Sequence, residues 1–294
     1  MPVGSPPWHL LTYMEQLTVC GVGLIGGSLA LAARERGLAR RVVGIDRWAA
    51  PPPPGVVDEA LSPEDTAACS RAVRAAELTV LAMPVSAVRA ALPEVLDDLA
   101  DTQGVVTDCG STKRALVQAV AGHRARHRFV PGHPMAGHPE GGLANARADL
   151  FVGRRWLLCP EETSAPDAVE RVAELVRALG AEPVFLGAAE HDRSVAFTSH
   201  VPQLVASTLA VLVAEAGADI AAGPGFASAT RVAGGAESMW RDIFATNGDA
   251  VADALRKLSE RLGAAAEALA EEPTNPEVAL ALLAEARKLR ARRH

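Results

Sequence analysis

The sequence predicts an α/β domain built on a mainly parallel sheet, followed by an all-helical domain. Between about Leu17 and Leu186, short apolar runs alternate with amphipathic segments, which is the pattern of parallel strands joined by helices. From about Gly187 onward the strand pattern stops, and helical segments are separated by breaks that contain glycine or proline. We therefore divide the chain into a loose N-terminal arm, a sheet domain and a helical domain, at residues 1–15, 16–187 and 188–294.

The strands of the sheet domain are predicted from short runs rich in apolar and β-branched residues. These runs lie at residues 18–20, 42–45, 79–82, 105–107, 129–130, 156–159 and 183–186. Amphipathic spacing predicts helices between several of them, at residues 28–36, 86–99, 112–121 and 166–179. Because strands and helices alternate, we expect consecutive strands to run parallel, with helices on both faces of the sheet.

The second domain is predicted to contain helices at residues 190–215, 236–246, 249–270 and 275–291, with a glycine-rich break at 217–235. Pro202 falls inside the first of these helices and is expected to kink it. The helices have too few polar faces for a self-contained domain, so we expect them to pack against a second copy of the chain. The sequence thus favours a homodimer joined through the helical domain.

Composition argues against several classes of protein. The formal net charge of −6 on 294 residues disfavours a nucleic-acid-binding surface. The four cysteines include no C-x-x-C pair, which fits neither a zinc site nor a disulfide framework. We recognise no apolar run of membrane-spanning length, and the N-terminal residues lack the features of a signal peptide. These observations predict a cytoplasmic protein that binds neither nucleic acid nor membrane.

The most specific local pattern is a glycine motif between the first strand and the first helix. It consists of Gly21-Val22-Gly23-Leu24-Ile25-Gly26. The first glycine permits a tight turn, the second lets a pyrophosphate approach, and the third lets the helix pack close to the strand. The N-terminus of the helix then favours phosphate. Asp46 follows the third glycine by twenty residues, where it would accept hydrogen bonds from ribose hydroxyls. This context predicts a Rossmann-type dinucleotide-binding domain.

The same region indicates which dinucleotide is bound. Asp46 would repel a ribose 2′-phosphate, so we expect NAD, while the neighbouring Arg47 leaves NADP open as a secondary cofactor. Met83 and Pro84, after a later strand, complete the predicted cofactor-binding set. The alternative is a glycine-rich turn in an α/β sheet that binds nothing.

Ser111 and His133 are the candidate catalytic residues of the first domain, because both follow strands at the edge where ligands bind in such folds. Ser111 would direct its hydroxyl into the crevice; the alternative is that it only caps the next helix. His133 precedes a proline, which holds it extended, and a histidine is the usual general base near neutral pH. His138, also followed by a proline, is expected to be solvated or structural. No third ligand stands at suitable spacing, so we expect no metal site.

His200, Gln203 and Arg231 are the candidate substrate-binding residues of the helical domain. His200 and Gln203 flank the proline that is expected to kink the helix. Arg231 lies in the glycine-rich break, from which it can reach inward, and a guanidinium group is the natural bidentate partner of a carboxylate. The alternative for Arg231 is a surface salt bridge.

Taken together, these motifs resemble those of the prephenate/arogenate dehydrogenase family of tyrosine biosynthesis. The resemblance rests on GVGLIGGSLA, DCGSTK, GHPMAGHPEGG, SHVPQ and TRVAGGAESMWRDIF, which occur in the family's order from about Leu17 to about Thr246. It implies a Rossmann-type domain plus a helical dimerisation domain, which agrees with the pattern of apolar residues.

The resemblance also implies an activity, the NAD-dependent oxidative decarboxylation of a cyclohexadienol that bears a ring carboxylate. Hydride would leave C4 for the nicotinamide, the hydroxyl proton would pass to a base, and the ring carboxylate would depart as CO2. By motif position His133 would be the base, Ser111 would bridge the hydroxyl and the nicotinamide region, and Arg231 would hold a substrate carboxylate. His200 and Gln203 would complete the substrate site.

Gln203 departs from the S-H-x-P-H pattern of many family members. A neutral amide cannot gain charge there, so the resemblance leaves prephenate, arogenate or both as substrates, and leaves open an analogue such as 4-amino-4-deoxyprephenate. A related dehydrogenase with a catalytic lysine is disfavoured, because the helical domain opens with His191 and His200 instead. A non-catalytic dinucleotide-binding dimer is the remaining alternative.

Overall fold

A computed structural model describes residues 13–48, 50–138 and 140–291, and its first domain is built on a six-stranded parallel sheet. The strands are β1 (Met14–Cys20), β2 (Ala39–Ile45), β3 (Glu59–Leu61), β4 (Leu78–Leu81), β5 (Val105–Asp108) and β6 (Phe129–Val130). Their order across the sheet is β3-β2-β1-β4-β5-β6. The order reverses between β1 and β4, which opens a crevice at the carboxyl ends of these strands. The predicted fold class is confirmed.

Helices cover both faces of this sheet. They are α1 (Leu24–Glu35), α2 (Thr66–Ala75), α3 (Val85–Leu99), α4 (Arg114–Ala119) and α5 (Pro166–Ala178). Successive strand residues point to opposite faces, and accordingly Val19 lies in the core that contains Leu29 of α1, whereas Cys20 lies in the core that contains Leu92 of α3. The two cores hold the strand ends, and thus the crevice, in fixed positions.

The structure contains a second, three-stranded sheet, whereas the sequence predicts a single sheet. It consists of β7 (Gly132–Pro134), β8 (Arg155–Leu158) and β9 (Glu182–Phe185), with β7 antiparallel to β8 and β8 parallel to β9. The sequence predicts a loop at β7, because this segment is only three residues long and contains a glycine and a proline. β3 and α2 were also missed, since β3 is a short edge strand and α2 has only two buried residues.

The N-terminal boundary differs slightly from the prediction. β1 begins at Met14 and pairs with β2 from that residue, so its first two residues fall inside the predicted arm. Residues 1–12, which make up most of that arm, lie outside the described residues.

The second domain is helical, as predicted. Its helices are α6 (Ala188–Val195), α7 (Val201–Glu215), α8 (Pro224–Thr230), α9 (Glu237–Leu269) and α10 (Glu277–Ala291). A single π-helical turn, Ala196–His200, joins α6 to α7 and ends two residues before Pro202. α9 is interrupted at Asn247, whose φ of −136° and ψ of 20° are not helical, close to the break predicted between residues 246 and 249.

The combined run of α6 and α7 corrects one expectation. Residues Ala188–Glu215 form 28 helical residues with a mean hydropathy of 1.4 in their most apolar stretch, so by length and composition this run could cross a membrane. The expectation that no apolar run reaches that length is therefore wrong here. Such a run is weak support for a membrane span, because core helices of globular proteins have the same properties.

Candidate active site between the two domains

The glycine motif forms a tight turn between β1 and α1, and each glycine has a distinct local reason. Gly21 has a φ of +89°, which side chains other than glycine rarely adopt. A Cβ atom on Gly26 would lie 1.9 Å from the carbonyl oxygen of Gly21, so this position has no room for a side chain. A Cβ atom on Gly23, the N-cap of α1, would meet nothing within 4 Å. The turn therefore leaves open space beside the helix N-terminus, which fits a dinucleotide pyrophosphate.

The other predicted cofactor-binding residues surround this turn. Asp46 lies just after β2, and its carboxylate accepts a hydrogen bond from the backbone N–H of Val22 at 2.6 Å. Met83 lies close to Gly21, and Pro84 is the N-cap of α3. Arg47 is exposed. The predicted residues thus meet at the carboxyl ends of β1, β2 and β4, where the strand order favours ligand binding.

A cavity of about 360 Å³ lies next to this crevice, between the two domains. Three of the predicted site residues, Ser111, His133 and His200, line it together. The other side chains in its wall include Met135, Arg147, Arg154, Trp240 and Ile243. Arginine side chains on its rim give the cavity hydrogen-bond donors, whereas the indole N–H of Trp240 is buried beside Gly235 and has no partner among the described residues.

A buried ion pair positions the strand that carries His133. Lys113 and Asp108 are fully buried and paired with each other. Lys113 donates to the carbonyl oxygen of Gly132 at 2.6 Å, and Asp108 accepts from the N–H of Gly132 at 3.1 Å. A Cβ atom on Gly132 would lie 2.8 Å from the carbonyl oxygen of Asp108, so only glycine permits this approach. The N–H and the carbonyl group of Gly132, directly before His133, are therefore both held by side chains of the first domain.

His133 is the outer member of a hydrogen-bonded chain that ends on a carboxylate. Its Nδ1 atom lies 2.9 Å from Nε2 of His191, and Nδ1 of His191 lies 2.8 Å from Oδ1 of Asp192. Asp192 also accepts hydrogen bonds from the backbone N–H groups of Lys113 at 2.8 Å and Arg114 at 3.0 Å. The carboxylate thus lies at the N-terminus of α4, and His191 and Asp192 are fully buried.

The charge state of Asp192 sets the proton positions along this chain. Burial raises the pKa of Asp192, but hydrogen bonds from His191 and from the backbone of Arg114 and Lys113 more than offset this, and its pKa is lowered. An ionised carboxylate only accepts, so His191 carries its proton on Nδ1. Its Nε2 atom must then accept from Nδ1–H of His133, which leaves Nε2 of His133 as an unprotonated acceptor.

Burial also keeps the histidines of the site neutral. Burial, together with the nearby His191, Lys113 and His200, lowers the pKa of His133 well below its usual range. Burial lowers the pKa of His191 despite its hydrogen bond to Asp192. His133 therefore has the protonation state that a general base needs.

Two predicted substrate-binding residues do not line this cavity in the single chain. Arg231 is exposed at the end of α8. Gln203 is buried behind the wall, where its amide lies 3.4 Å from the hydroxyl of Ser207 and close to Gly235 and Trp240. His138 is exposed and accepts a hydrogen bond from the N–H of Glu140; the adjoining Pro139 lies outside the described residues.

Several residues of the site have roles that the sequence alone does not indicate. The catalytic motifs do not include His191 and Asp192, although the adjacent histidine and aspartate at the start of the helical domain are a local signal for such a pair. Lys113 stands in the DCGSTK motif, which by itself indicates no role for it. Asn247 lies in a long helix and gave no local signal, because its role depends on contacts with three distant segments.

Comparison with known proteins places the chain in a family. A family model for the nucleotide-binding domain of prephenate dehydrogenase matches residues 29–185, and one for its dimerization domain matches residues 187–283. The chain belongs to the prephenate dehydrogenase family. The predicted resemblance is therefore confirmed, and the boundary between the two matched regions coincides with the start of α6.

Individual relatives of the prephenate dehydrogenase family differ in their named substrates. A prephenate dehydrogenase from Bacillus subtilis is 32% identical over 81% of this chain, which spans 66% of that protein's length. A cyclohexadienyl dehydrogenase from Zymomonas mobilis is 29% identical, over 82% of this chain and 84% of the relative. A crystal structure of Synechocystis arogenate dehydrogenase is 26% identical, with a TM-score of 0.77, and covers 95% of this chain and all of that one.

Proposed function

We propose that this protein catalyses the NAD-dependent oxidative decarboxylation of prephenate, arogenate or both. The observation that carries the proposal is the chain from Asp192 through His191 to His133, which ends on an unprotonated nitrogen in a cavity beside the dinucleotide crevice. The products would be 4-hydroxyphenylpyruvate from prephenate and tyrosine from arogenate, together with CO2 and NADH. Membership of the family and the names of its relatives support the same reaction.

In this reaction His133 accepts the proton of the substrate's C4 hydroxyl on Nε2. As the proton arrives, His133 remains hydrogen-bonded to His191, whose other nitrogen donates to the Asp192 carboxylate, so the new positive charge is stabilised by a buried negative one. Ser111, in the same cavity wall, positions the hydroxyl toward His133. The ring carboxylate leaves as CO2, the ring becomes aromatic, and the resulting phenolate oxygen takes a proton back from His133. Aromatisation supplies driving force, so the protein mainly orients the substrate and manages the proton.

The first domain fits NAD as the cofactor. The chemistry that bound NAD+ would supply is acceptance of the C4 hydrogen as hydride. The open space at Gly23 and the N-terminus of α1 would hold the pyrophosphate, and Asp46 would accept from the ribose hydroxyls. The same carboxylate would repel the 2′-phosphate of NADP, and the exposed Arg47 would only partly offset that repulsion.

The choice between the two substrates depends on the substrate side chain. Gln203 cannot become charged, and it lies behind Trp240 rather than in the cavity wall, so we infer that it acts on that choice through the position of the indole ring. Arg231 would hold a substrate carboxylate only if its segment moved toward the cavity or if a second chain completed the site.

We also propose that the protein forms a homodimer through the helical domain. α7, α9 and α10 carry exposed apolar side chains, among them Val211, Leu212, Leu262, Leu280 and Leu283. Exposed apolar side chains on three helices of one domain favour association with a second copy. Light scattering on the purified protein should give the mass of a dimer; the mass of a monomer at working concentration would contradict this part of the proposal.

The direct test offers prephenate and arogenate separately to the purified protein with NAD+ and follows NADH and CO2 together. The proposal predicts one CO2 for each NADH with at least one substrate. NADH without CO2 would indicate a different dehydrogenase reaction. No turnover of either substrate, despite measurable NAD+ binding, would contradict the proposal and favour an amino-substituted analogue or a non-catalytic protein.

A further inference from the structure

Asn247 is a polar residue at an unusual place in the helical domain. It interrupts the 33-residue helix α9 with non-helical backbone angles, and the residue is completely buried. A buried amide has a large desolvation cost unless its donors and acceptor are paired. Its partners therefore indicate why the helix is interrupted at this point.

The amide of Asn247 contacts three segments. Its Nδ2 atom donates to the carbonyl oxygen of Asp192 at 2.8 Å, and its Oδ1 atom accepts from the guanidinium group of Arg114 at 3.2 Å. A carbonyl oxygen can only accept and a guanidinium group can only donate, so these two partners fix the orientation of the amide. The third contact, 3.3 Å from Nδ2 to Nδ1 of His200, must then have asparagine as the donor.

This contact determines where His200 carries its proton. An imidazole that accepts on Nδ1 is neutral and protonated on Nε2. His200 is almost fully buried and lines the cavity, and Nε2 has no partner among the described residues. Burial lowers the pKa of His200 to about 4, with Asp192 raising it and His191 lowering it. A positive charge on His200 would also be disfavoured by His133, which shares the cavity, and by Arg114, which lies behind the amide.

We propose that Asn247 is a positioning residue that fixes His200 as a neutral Nε2–H donor to a carboxylate oxygen of the substrate side chain. This inference rests on the proposed function, because it gives the substrate site one histidine that accepts and one that donates. His133 accepts the hydroxyl proton. His200 donates a hydrogen bond to the side-chain carboxylate, whose charge the reaction leaves unchanged. The two assignments depend on the neighbouring buried residues Asp192 and Asn247.

Nitrogen-15 NMR of histidine-labelled protein tests where His200 carries its proton in the wild-type chain. This readout does not require a measurement of activity. The signals of His200 are assigned by their loss in His200→Gln. We expect His200 to carry its proton on Nε2, with a bare Nδ1, from neutral pH down to about pH 5. A proton on Nδ1, or an imidazolium in that range, would overturn the proposal, whatever the enzyme's substrate is.

Kinetics of two variants test the effect on binding. Asn247→Asp replaces the donor with an acceptor, and we expect the substrate KM to rise at least tenfold while kcat changes by less than fivefold. Asp249→Asn is the matched control, because it removes the other carboxylate partner of Arg114, 2.8 Å from its guanidinium, and leaves the contact between Asn247 and His200 intact. An unchanged KM in Asn247→Asp, or an equal rise in Asp249→Asn, would overturn the proposal.

A donor-retaining variant separates hydrogen bonding from packing. The amide of His200→Gln can still donate from near the position of Nε2, whereas His200→Ala cannot. We expect the glutamine variant to keep its KM within about threefold of wild type and the alanine variant to lose at least tenfold. Equal KM values for the two variants would overturn the proposed donor.

Discussion

Nδ1 of His133 lies 2.9 Å from Nε2 of His191, and this contact joins the two domains at the cavity. His133 belongs to β7 of the sheet domain, and His191 belongs to α6, the first helix of the other domain. Because Asp192 holds the proton of His191 on Nδ1, the contact leaves the outer nitrogen of His133 free to accept a proton. The position of one domain on the other is therefore part of the proposed catalytic arrangement.

Asp192→Asn should impair catalysis by reversing the tautomers of this chain. An amide in place of the carboxylate can donate to Nδ1 of His191, so His191 would carry its proton on Nε2 and donate to His133. His133 would then be protonated on the nitrogen that must accept the substrate proton. We expect kcat to fall by about 100-fold or more. Steady-state kinetics with the Asp249→Asn control, which should stay near wild type, tests this prediction; equal kcat values for the two variants would contradict it.

Stability should decrease as the pH falls below the usual pKa of histidine. His133, His191 and His200 have lowered pKa values in the folded chain, to about 4 for His200, so between pH 6.5 and 4 the unfolded chain binds more protons. The free energy of unfolding is therefore highest above pH 6.5 and falls toward pH 4. Asp192 contributes to acid destabilisation only below its ordinary value of 3.8.

Denaturant unfolding at several pH values checks this dependence. His200→Gln removes one of the three titrating groups, so its free energy of unfolding should fall less steeply over the same range. A wild-type stability that stays constant or increases from pH 6.5 to 4 would show that these histidines are not buried in neutral form.

Substitutions at two glycines of the turn between β1 and α1 should affect NAD+ binding and folding separately. Gly23→Ala places a methyl group in open space, so we expect an unchanged Tm but NAD+ binding weakened at least tenfold, about 1.4 kcal/mol. Gly26→Ala forces a methyl group against the backbone of Gly21, so we expect a loss of about 1–3 kcal/mol in stability. Calorimetry and thermal unfolding of both variants give the comparison. Unchanged NAD+ affinity in Gly23→Ala would place the pyrophosphate elsewhere.

Asp46→Ser should shift the cofactor preference toward NADP. The substitution removes the charge that would repel a 2′-phosphate and one acceptor for the ribose, so the kcat/KM ratio of NAD+ to NADP+ should fall about tenfold or more. Arg47→Ala is the paired control, because loss of the neighbouring cation should decrease use of NADP+. If neither variant changes the ratio, the carboxylate does not contact the ribose.

Much of the fold could be predicted because its signals are local. The glycine motif and the alternation of apolar and amphipathic segments lie within short stretches of sequence, and each reflects a steric or solvation requirement of its own segment. β7 could not be predicted in this way, because its strand geometry comes from pairing with β8 and from the buried pair of Lys113 and Asp108.

The candidate site was predicted only where a residue follows a strand or stands in a motif. Ser111, His133 and His200 meet in one cavity as expected, whereas His191 and Asn247 acquire their roles through contacts across 58 and 47 positions of the chain. Their spacing carries no periodic signal. The predicted role of Arg231 stays a prediction, since the single chain leaves it exposed outside the cavity.

The measurement that tests the central claim most directly compares wild type with His133→Asn at saturating NAD+, using whichever of prephenate and arogenate the wild type oxidises. Asparagine fills a similar space but cannot serve as a base, so kcat should fall by about 10²–10⁴-fold, while NAD+ affinity, measured by calorimetry, stays within about twofold. Turnover close to wild type would contradict the role of His133 as the base. Loss of NAD+ binding would contradict its placement in a substrate cavity separate from the cofactor crevice.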